Sequence, residues 1–128
     1  MATDPRHRLG ELMEQSDPPF REVMSCVFGI EDHETRTYLV LLEYPGSTIE
    51  ELATALERDR STVNRALSTL VDRGLARRDR RLLDGGGYIY QYTAITLHEA
   101  KEILHEALDA WVATVHGVID DFDGERLE

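Results

Sequence analysis

The chain has 128 residues, 41% of them hydrophobic and 30% charged, and a formal net charge of −11. That is enough apolar material for one core and too little for two ordinary domains, and no apolar run nears the roughly 18 residues that span a bilayer. The polar N-terminus, MATDPRHRLGELMEQ, lacks a secretory pattern, so a single-domain cytoplasmic protein with no membrane partner is expected.

Residues 1–17 read as a polar N-terminal segment with one amphipathic fragment at Leu9, Leu12 and Met13. Asp17-Pro18-Pro19 opens a first helix over 18–28, since proline is tolerated in a first turn and Phe20, Val23, Met24 and Val27 follow at helical spacing until Gly29. Asp32 is expected to cap a second helix, with Tyr38, Leu39, Leu41 and Leu42 as its apolar positions and Tyr44-Pro45-Gly46 as its end. Thr48 and Glu51 form a capping box before Leu52, Ala53 and Leu56, which predicts a short third helix. A tight turn at 57–60 follows, and Asp59 caps a fourth helix running to Arg73 and closed by Gly74. Two short helices joined by a tight turn make a helix-turn-helix.

Beyond it, an arginine-rich run from Leu75 to Leu83, the flexible Asp84-Gly85-Gly86-Gly87 and the aromatic Tyr88-Ile89-Tyr90-Gln91-Tyr92 predict a β-hairpin, the wing. Thr96 then caps a long helix to about Phe122. Leu104, Leu108, Trp111, Val115, Val118 and Phe122 step along it by fours and threes, the spacing of a coiled-coil seam. A lone helix cannot bury that stripe, so it packs on the domain or on its twin in a homodimer. The expected fold is mainly α with a small β-hairpin wing. A winged helix-turn-helix domain spans 18–95, a dimerisation helix 96–123 and a tail 124–128.

Charge is uneven along this frame. From Arg58 to Arg81, eight arginines meet three aspartates, a local balance of +5 that leaves the rest of the chain at −16. Lys101 is the only lysine. Acidic, lysine-poor surfaces suit molar salt, where the Debye length falls to about 3 Å. A halophilic host is the simplest reading, and an acidic mesophilic protein that uses arginine is the other.

The fourth helix has two faces. Val63, Ala66, Leu67 and Leu70 form a stripe to bury, leaving Arg60, Ser61, Thr62, Asn64, Arg65 and Ser68 outward. Arginine fits guanine O6 and N7, asparagine fits adenine N6 and N7, and serine and threonine reach base edges or phosphates in a groove about 12 Å wide. The bland alternative is a polar face that merely meets water. Arg77, Arg78, Arg80 and Arg81 on the wing can lie along phosphates or enter the minor groove, or else pair with the chain's own carboxylates.

The segment TIEELATALERDRSTVNRALSTLVDRGLARRDRR, followed by LLDGGGYIYQYTAI, resembles the winged-helix regulators of archaea and bacteria, in particular the TrmB-like and MarR-like groups, over about residues 31–96. The resemblance implies double-stranded DNA as partner, residues 60–73 as recognition helix, and Arg78, Arg80, Arg81 and Tyr88 as wing residues flanking the groove. Full-length TrmB-like regulators also carry a large sugar-binding C-terminal domain, whereas one long helix follows the wing here.

Cys26 is the only cysteine, which leaves no intramolecular disulfide and no four-cysteine metal site. Beside Met24, Val27 and Phe28 it is most simply a small core residue; next to a dimer axis it is a redox switch. His105 and His116 partly resemble the metal site of ArsR-like repressors, but Ile103 and Ile119 stand where further ligands belong, and His98 and His105 fit exposed neighbours of Glu102 and Asp109. No phosphate-binding glycine loop, nucleophile elbow or zinc-protease helix is present. The expectation is therefore a homodimeric transcriptional regulator on a palindromic promoter site, with no catalytic residue, metal or cofactor and no effector named by the sequence. A winged helix used as a protein-interaction module of the transcription machinery is the alternative.

Overall fold

The computed structural model describes residues 18–125. The expected 1–17 segment, and all but the first two residues of the 124–128 tail, lie outside them. The described residues form five helices and a two-stranded antiparallel hairpin: α1 (Phe20–Phe28), α2 (Asp32–Glu43), α3 (Ile49–Leu56), α4 (Arg60–Asp72), β1 (Ala76–Leu82), β2 (Tyr88–Ala94) and α5 (Leu97–Asp121).

Local chemistry sets most of the boundaries. Pro19 occupies the N-cap of α1, and Gly29 ends that helix in the left-handed region at φ 69°, its N–H donating to the Ser25 carbonyl. At α2 the cap is Glu31, not Asp32: Glu31 and Glu34 form a capping box, with the Glu31 N–H donating to Glu34 Oε1 at 2.8 Å. Asp32 already has helical backbone and adds charge to the first turn instead. The Thr48–Glu51 box stands as read, its two hydrogen bonds at 3.0 and 3.2 Å. The α3–α4 turn needs Glu57 at φ 54°, the only non-glycine residue with positive φ among those described, so tertiary packing offsets the usual penalty for a side chain there.

Helix α4 closes with a Schellman motif. Gly74 takes φ 78°, its N–H donates to the Val71 carbonyl at 3.0 Å, and the Leu75 N–H reaches back to the Leu70 carbonyl at 2.8 Å. Leu70 and Leu75, the apolar pair that accompanies this motif, are both fully buried.

Helices α2, α3 and α4 pack on one another, and the root of the hairpin packs against all three. The core joins Met24, Ile30, Tyr38, Leu41, Leu52, Leu56, Val63, Leu67, Leu70, Leu75 and Tyr92. In the hairpin, Ala76 faces Ala94, Arg78 faces Tyr92, Arg80 faces Tyr90 and Leu82 faces Tyr88. One pairing reaches further: Tyr92 N–H donates to the Ser47 carbonyl at 2.8 Å and Gly46 N–H to the Tyr92 carbonyl at 2.9 Å. The loop before α3 thereby becomes a third, one-residue rung that holds the wing to the helix-turn-helix.

Thr96 caps α5, accepting from the Glu99 N–H at 3.1 Å. The helix joins the core through Ala100 and Leu104 and packs on α1. About 17 residues, roughly 26 Å of helix, then run on past Leu104.

Candidate nucleic-acid interface

On α4 the buried stripe is the expected one: Val63, Ala66, Leu67 and Leu70 are all buried. This fixes the helix's rotation, so the 100° step between residues places Ser61, Arg65 and Ser68 on the outward crest with Asn64 at its flank. All four are exposed. Among the described residues neither Asn64 nor Arg65 makes a side-chain hydrogen bond or salt bridge, although the Arg65 charge lies close enough to act on the Asp59 carboxylate. Asp72 continues the same crest at the C-terminal end, which leaves the first two turns as the part suited to a polyanion.

Two other members of the expected set have partners inside the protein. The Arg60 guanidinium pairs with Glu50 of α3, tying the two helices together across their turn. Thr62 is half-buried. Its N–H and hydroxyl both donate to Asp59, at 3.1 and 2.5 Å, and these bonds hold the Asp59 carboxyl below its ordinary range. Thr62 thus secures the start of the helix.

Beside the crest lies a groove of about 680 Å³ lined by His33 and Glu34 of α2, by Arg58, and by Arg65, Thr69 and Arg73. Arg36 and Asp32 border an adjoining cavity of about 190 Å³ that shares His33, Arg58 and Thr62. Sequence reasoning missed His33 and Arg36, because nothing in the local pattern of α2 says that its first turns lie against α4. Acidic side chains border the same groove, with His33 Nδ1 3.3 Å from Glu31.

On the wing, the alternation of side chains divides the arginines. Arg78 and Arg80 share a face with Tyr88 and Tyr90, the Arg78 guanidinium lying 4.2 Å from the Tyr90 ring centroid and that of Arg80 5.0 Å from Tyr88. The two tyrosines meet edge to face at 5.3 Å, and interaction with the Tyr90 side chain pushes the Tyr88 hydroxyl above its ordinary pKa. Arg81 points the other way with Arg77, which is paired with Asp79 at 3.1 Å. The structure therefore brings Arg78, Arg80 and Tyr88 together and sets Arg81 apart. It adds Tyr90, which the period of two along β2 would have supplied.

Cys26 is exposed on α1, not packed in the core; Met24 takes the buried position of that helix. Along α5, Leu104 is buried and Val115 half-buried, whereas Leu108, Trp111, Val118 and Phe122 are exposed, Trp111 to 65%. Val112 and Ile119 widen the same apolar band. His98 pairs with Glu102 at 2.8 Å. No helix among the described residues is long and apolar enough to cross a membrane.

Comparison with known proteins gives the family and the fold. The family model described as "Sugar-specific transcriptional regulator TrmB" matches residues 24–97, from within α1 to the first residue of α5. An uncharacterized protein of Methanocaldococcus jannaschii is 34% identical over 108 residues, covering 84% of this chain and 82% of the relative. Among solved structures, a possible transcriptional regulator from Methanosarcina mazei superposes with a TM-score of 0.72 at 22% identity, over 80% of this chain and 88% of that one. A Staphylococcus aureus MepR variant, solved bound to an oligodeoxyribonucleotide, superposes with a TM-score of 0.52 at 16% identity, over 94% and 83%. At these identities the two structures show a shared winged-helix fold.

Proposed function

Because the chain belongs to the TrmB family of transcriptional regulators, a family of regulators and not of enzymes, we propose that it is a homodimeric, sequence-specific DNA-binding regulator. The observation that carries this reading is the α4 crest: Asn64 and Arg65, exposed and without a side-chain hydrogen bond or salt bridge among the described residues, on a helix whose opposite face is locked into the core. In this reading α4 enters the major groove, with Asn64 and Arg65 reading bases and Ser61 and Ser68 seated at base edges or phosphates. Arg60 and Thr62 hold the helix start in place. Arg58 and Arg73 in the adjoining groove, and Arg78, Arg80 and Tyr88 on the wing, meet the backbone to either side, while Arg81 on the reverse face of the wing adds its charge at longer range. Sequence is thus read by few residues, and affinity comes from the arginines.

Residues 18–95 form the DNA-binding domain and 96–123 the dimerisation helix. Leu104, expected on the same seam, is taken up by the chain's own core and anchors the helix to its domain; two copies joined along Leu108, Trp111, Val115, Val118 and Phe122 present their recognition helices to successive major grooves, roughly 34 Å apart, so the promoter site is palindromic. Cys26, exposed on the helix that packs against α5, supports a redox reading. An external oxidant takes two electrons from two thiolates, one per subunit, and the resulting disulfide changes the spacing of the recognition helices.

Genome-wide DNA binding in the host tests the whole reading, comparing wild type with the Asn64→Ala, Arg65→Ala double variant and with Cys26→Ser, with and without oxidant. The expected result is sharp promoter occupancy over a shared inverted repeat, lost in the variant and altered by oxidant only when Cys26 is present. Occupancy that is absent, or indifferent to the double substitution, would instead favour a protein-interaction module.

A further inference from the structure

The wing ends in apolar side chains that nothing in the described chain covers. Leu82 is 72% exposed, more than any other large hydrophobic residue described, and Leu83 and Tyr88 beside it are 42% and 49% exposed. Leu82 sits opposite Tyr88 at the last rung of the hairpin, just before the turn in which Gly86 and Gly87 take positive φ. Leucine left in water at a projecting tip forgoes the gain that burial would bring, so its position invites a partner.

What flanks it identifies the partner. On the Leu82 face the side chains run, from tip to root, Leu82 with Tyr88, Arg80 with Tyr90, and Arg78 with Tyr92. Neither arginine lies over its direct cross-strand neighbour: Arg80 lies over Tyr88 and Arg78 over Tyr90. Each guanidinium therefore leans one rung toward the tip, held there by a ring and not by a carboxylate. No acid occupies either strand on this face, for Asp79 is on the reverse, paired with Arg77. At the root, Tyr92 is buried and bonded to Ser47 and Gly46. The hairpin is a firmly rooted ribbon with a cationic shaft and an apolar head.

That order of chemistry fits a polyanion with an apolar interior. The DNA minor groove is about 6 Å wide, phosphates line both rims, and stacked bases form its floor. Leucine is among the side chains that prise base steps apart there. We propose that Leu82, backed by Leu83 and Tyr88, is a wedge that enters the minor groove next to the α4 site and partly unstacks one base step, so that the protein kinks its DNA while Arg78 and Arg80 clamp the rims. This rests on the DNA-binding reading above, to which it adds DNA bending as a further activity.

The test uses the full chain and a duplex of about 40 base pairs, long enough for two half-sites, enriched from a random pool by the wild-type protein. The duplex carries a fluorophore at each end and 2-aminopurine at successive steps flanking the repeat. Wild type is expected to shorten the end-to-end distance, consistent with a bend of about 20–90°, and to brighten 2-aminopurine at one step. Leu82→Ala, at concentrations that saturate the duplex, should lose most of the bend and the brightening. Leu82→Phe, which keeps a wedge, should retain both. Tight binding by wild type to a duplex that stays straight, or an unchanged bend in Leu82→Ala, would overturn the wedge and leave the regulator reading intact. Failure of wild type to enrich any duplex would overturn both. A dimer that falls to monomer on Leu82→Ala in sedimentation would assign the tip to a contact between copies, and the wedge would be wrong.

Discussion

Tyr38 lies on α2 with its ring fully buried and its hydroxyl donating to the Ile95 carbonyl at 3.0 Å, where the wing hands over to α5. One side chain thus joins the helical core, the end of β2 and the start of the long helix. Burial, and then the nearby Glu99 carboxylate, push its pKa up from 10.0 to about 12. Raising the pKa of a group that is neutral when protonated means that folding favours the phenol. The corresponding stability is fully present below pH 10 and is lost as pH rises from about 10 to about 12. Tyr38→Phe should keep the packing but strip the Ile95 carbonyl of a donor. It should cost about 1 kcal/mol, lowering the melting temperature by roughly 3–5 °C, and should flatten the alkaline loss seen in denaturation between pH 10 and 12. An alkaline transition identical to wild type would show that another group governs it.

The wing behaves as an element because its two faces have different electrostatics. Arg78 and Arg80 lie over tyrosine rings, whereas Arg77 is already neutralised by Asp79 and Arg81 shares that reverse face. The proposed complex places the Arg78 and Arg80 face against DNA, so the two neighbouring arginines should not be equivalent. Arg80→Ala should weaken binding to every sequence alike and lower the slope of log K against log salt by about 1. Arg81→Ala should change that slope by much less. Equal losses from the two variants would mean that the hairpin meets DNA edge-on.

At the scale of the molecule, the positive charge is concentrated in one stretch of the chain. The arginine-rich stretch from Arg58 to Arg81 sits on an otherwise strongly acidic chain, an arrangement that favours one orientation on a polyanion and discourages indiscriminate coating. A second exposed surface is the outer part of α5, where Leu108, Trp111, Val112, Val118, Ile119 and Phe122 are exposed in the single chain. Burying one such tryptophan is worth roughly 3 kcal/mol or more, and symmetry doubles every contact across a twofold axis. If the proposed homodimer pairs along this band, Trp111→Glu halves the sedimenting mass while leaving helical circular dichroism unchanged. It should weaken binding to the proposed palindrome at least tenfold, because two half-sites are no longer engaged together. A variant that stays dimeric would place the dimer contact elsewhere.

The order of helices, the helix-turn-helix, the hairpin and the long last helix were legible in the residues alone, since each rests on interactions spanning a few positions. Thr48 and Glu51, Asp59, Gly74 and Thr96 announce helix ends, and Val63, Ala66, Leu67 and Leu70 mark the face that goes inward. Because that face was readable, so was its opposite, and Asn64 and Arg65 followed. Strand alternation would also have separated Arg80 from Arg81 and joined Tyr90 to Tyr88. Other features were decided only when distant segments met. The bridge from Ser47 to Tyr92, the reach of Tyr38 across 57 positions to Ile95 and the arrival of His33 and Arg36 beside Arg58 have no signature at helical or strand period. Neither does the exposure of Cys26, whose apolar neighbours suit a core equally well, nor the choice of Glu31 over Asp32 as cap, which turns on the backbone torsion at one of two adjacent acids. Periodicity and capping are short-range and leave a mark in the sequence; which faces meet is settled by packing of the whole chain, and only the folded structure records it.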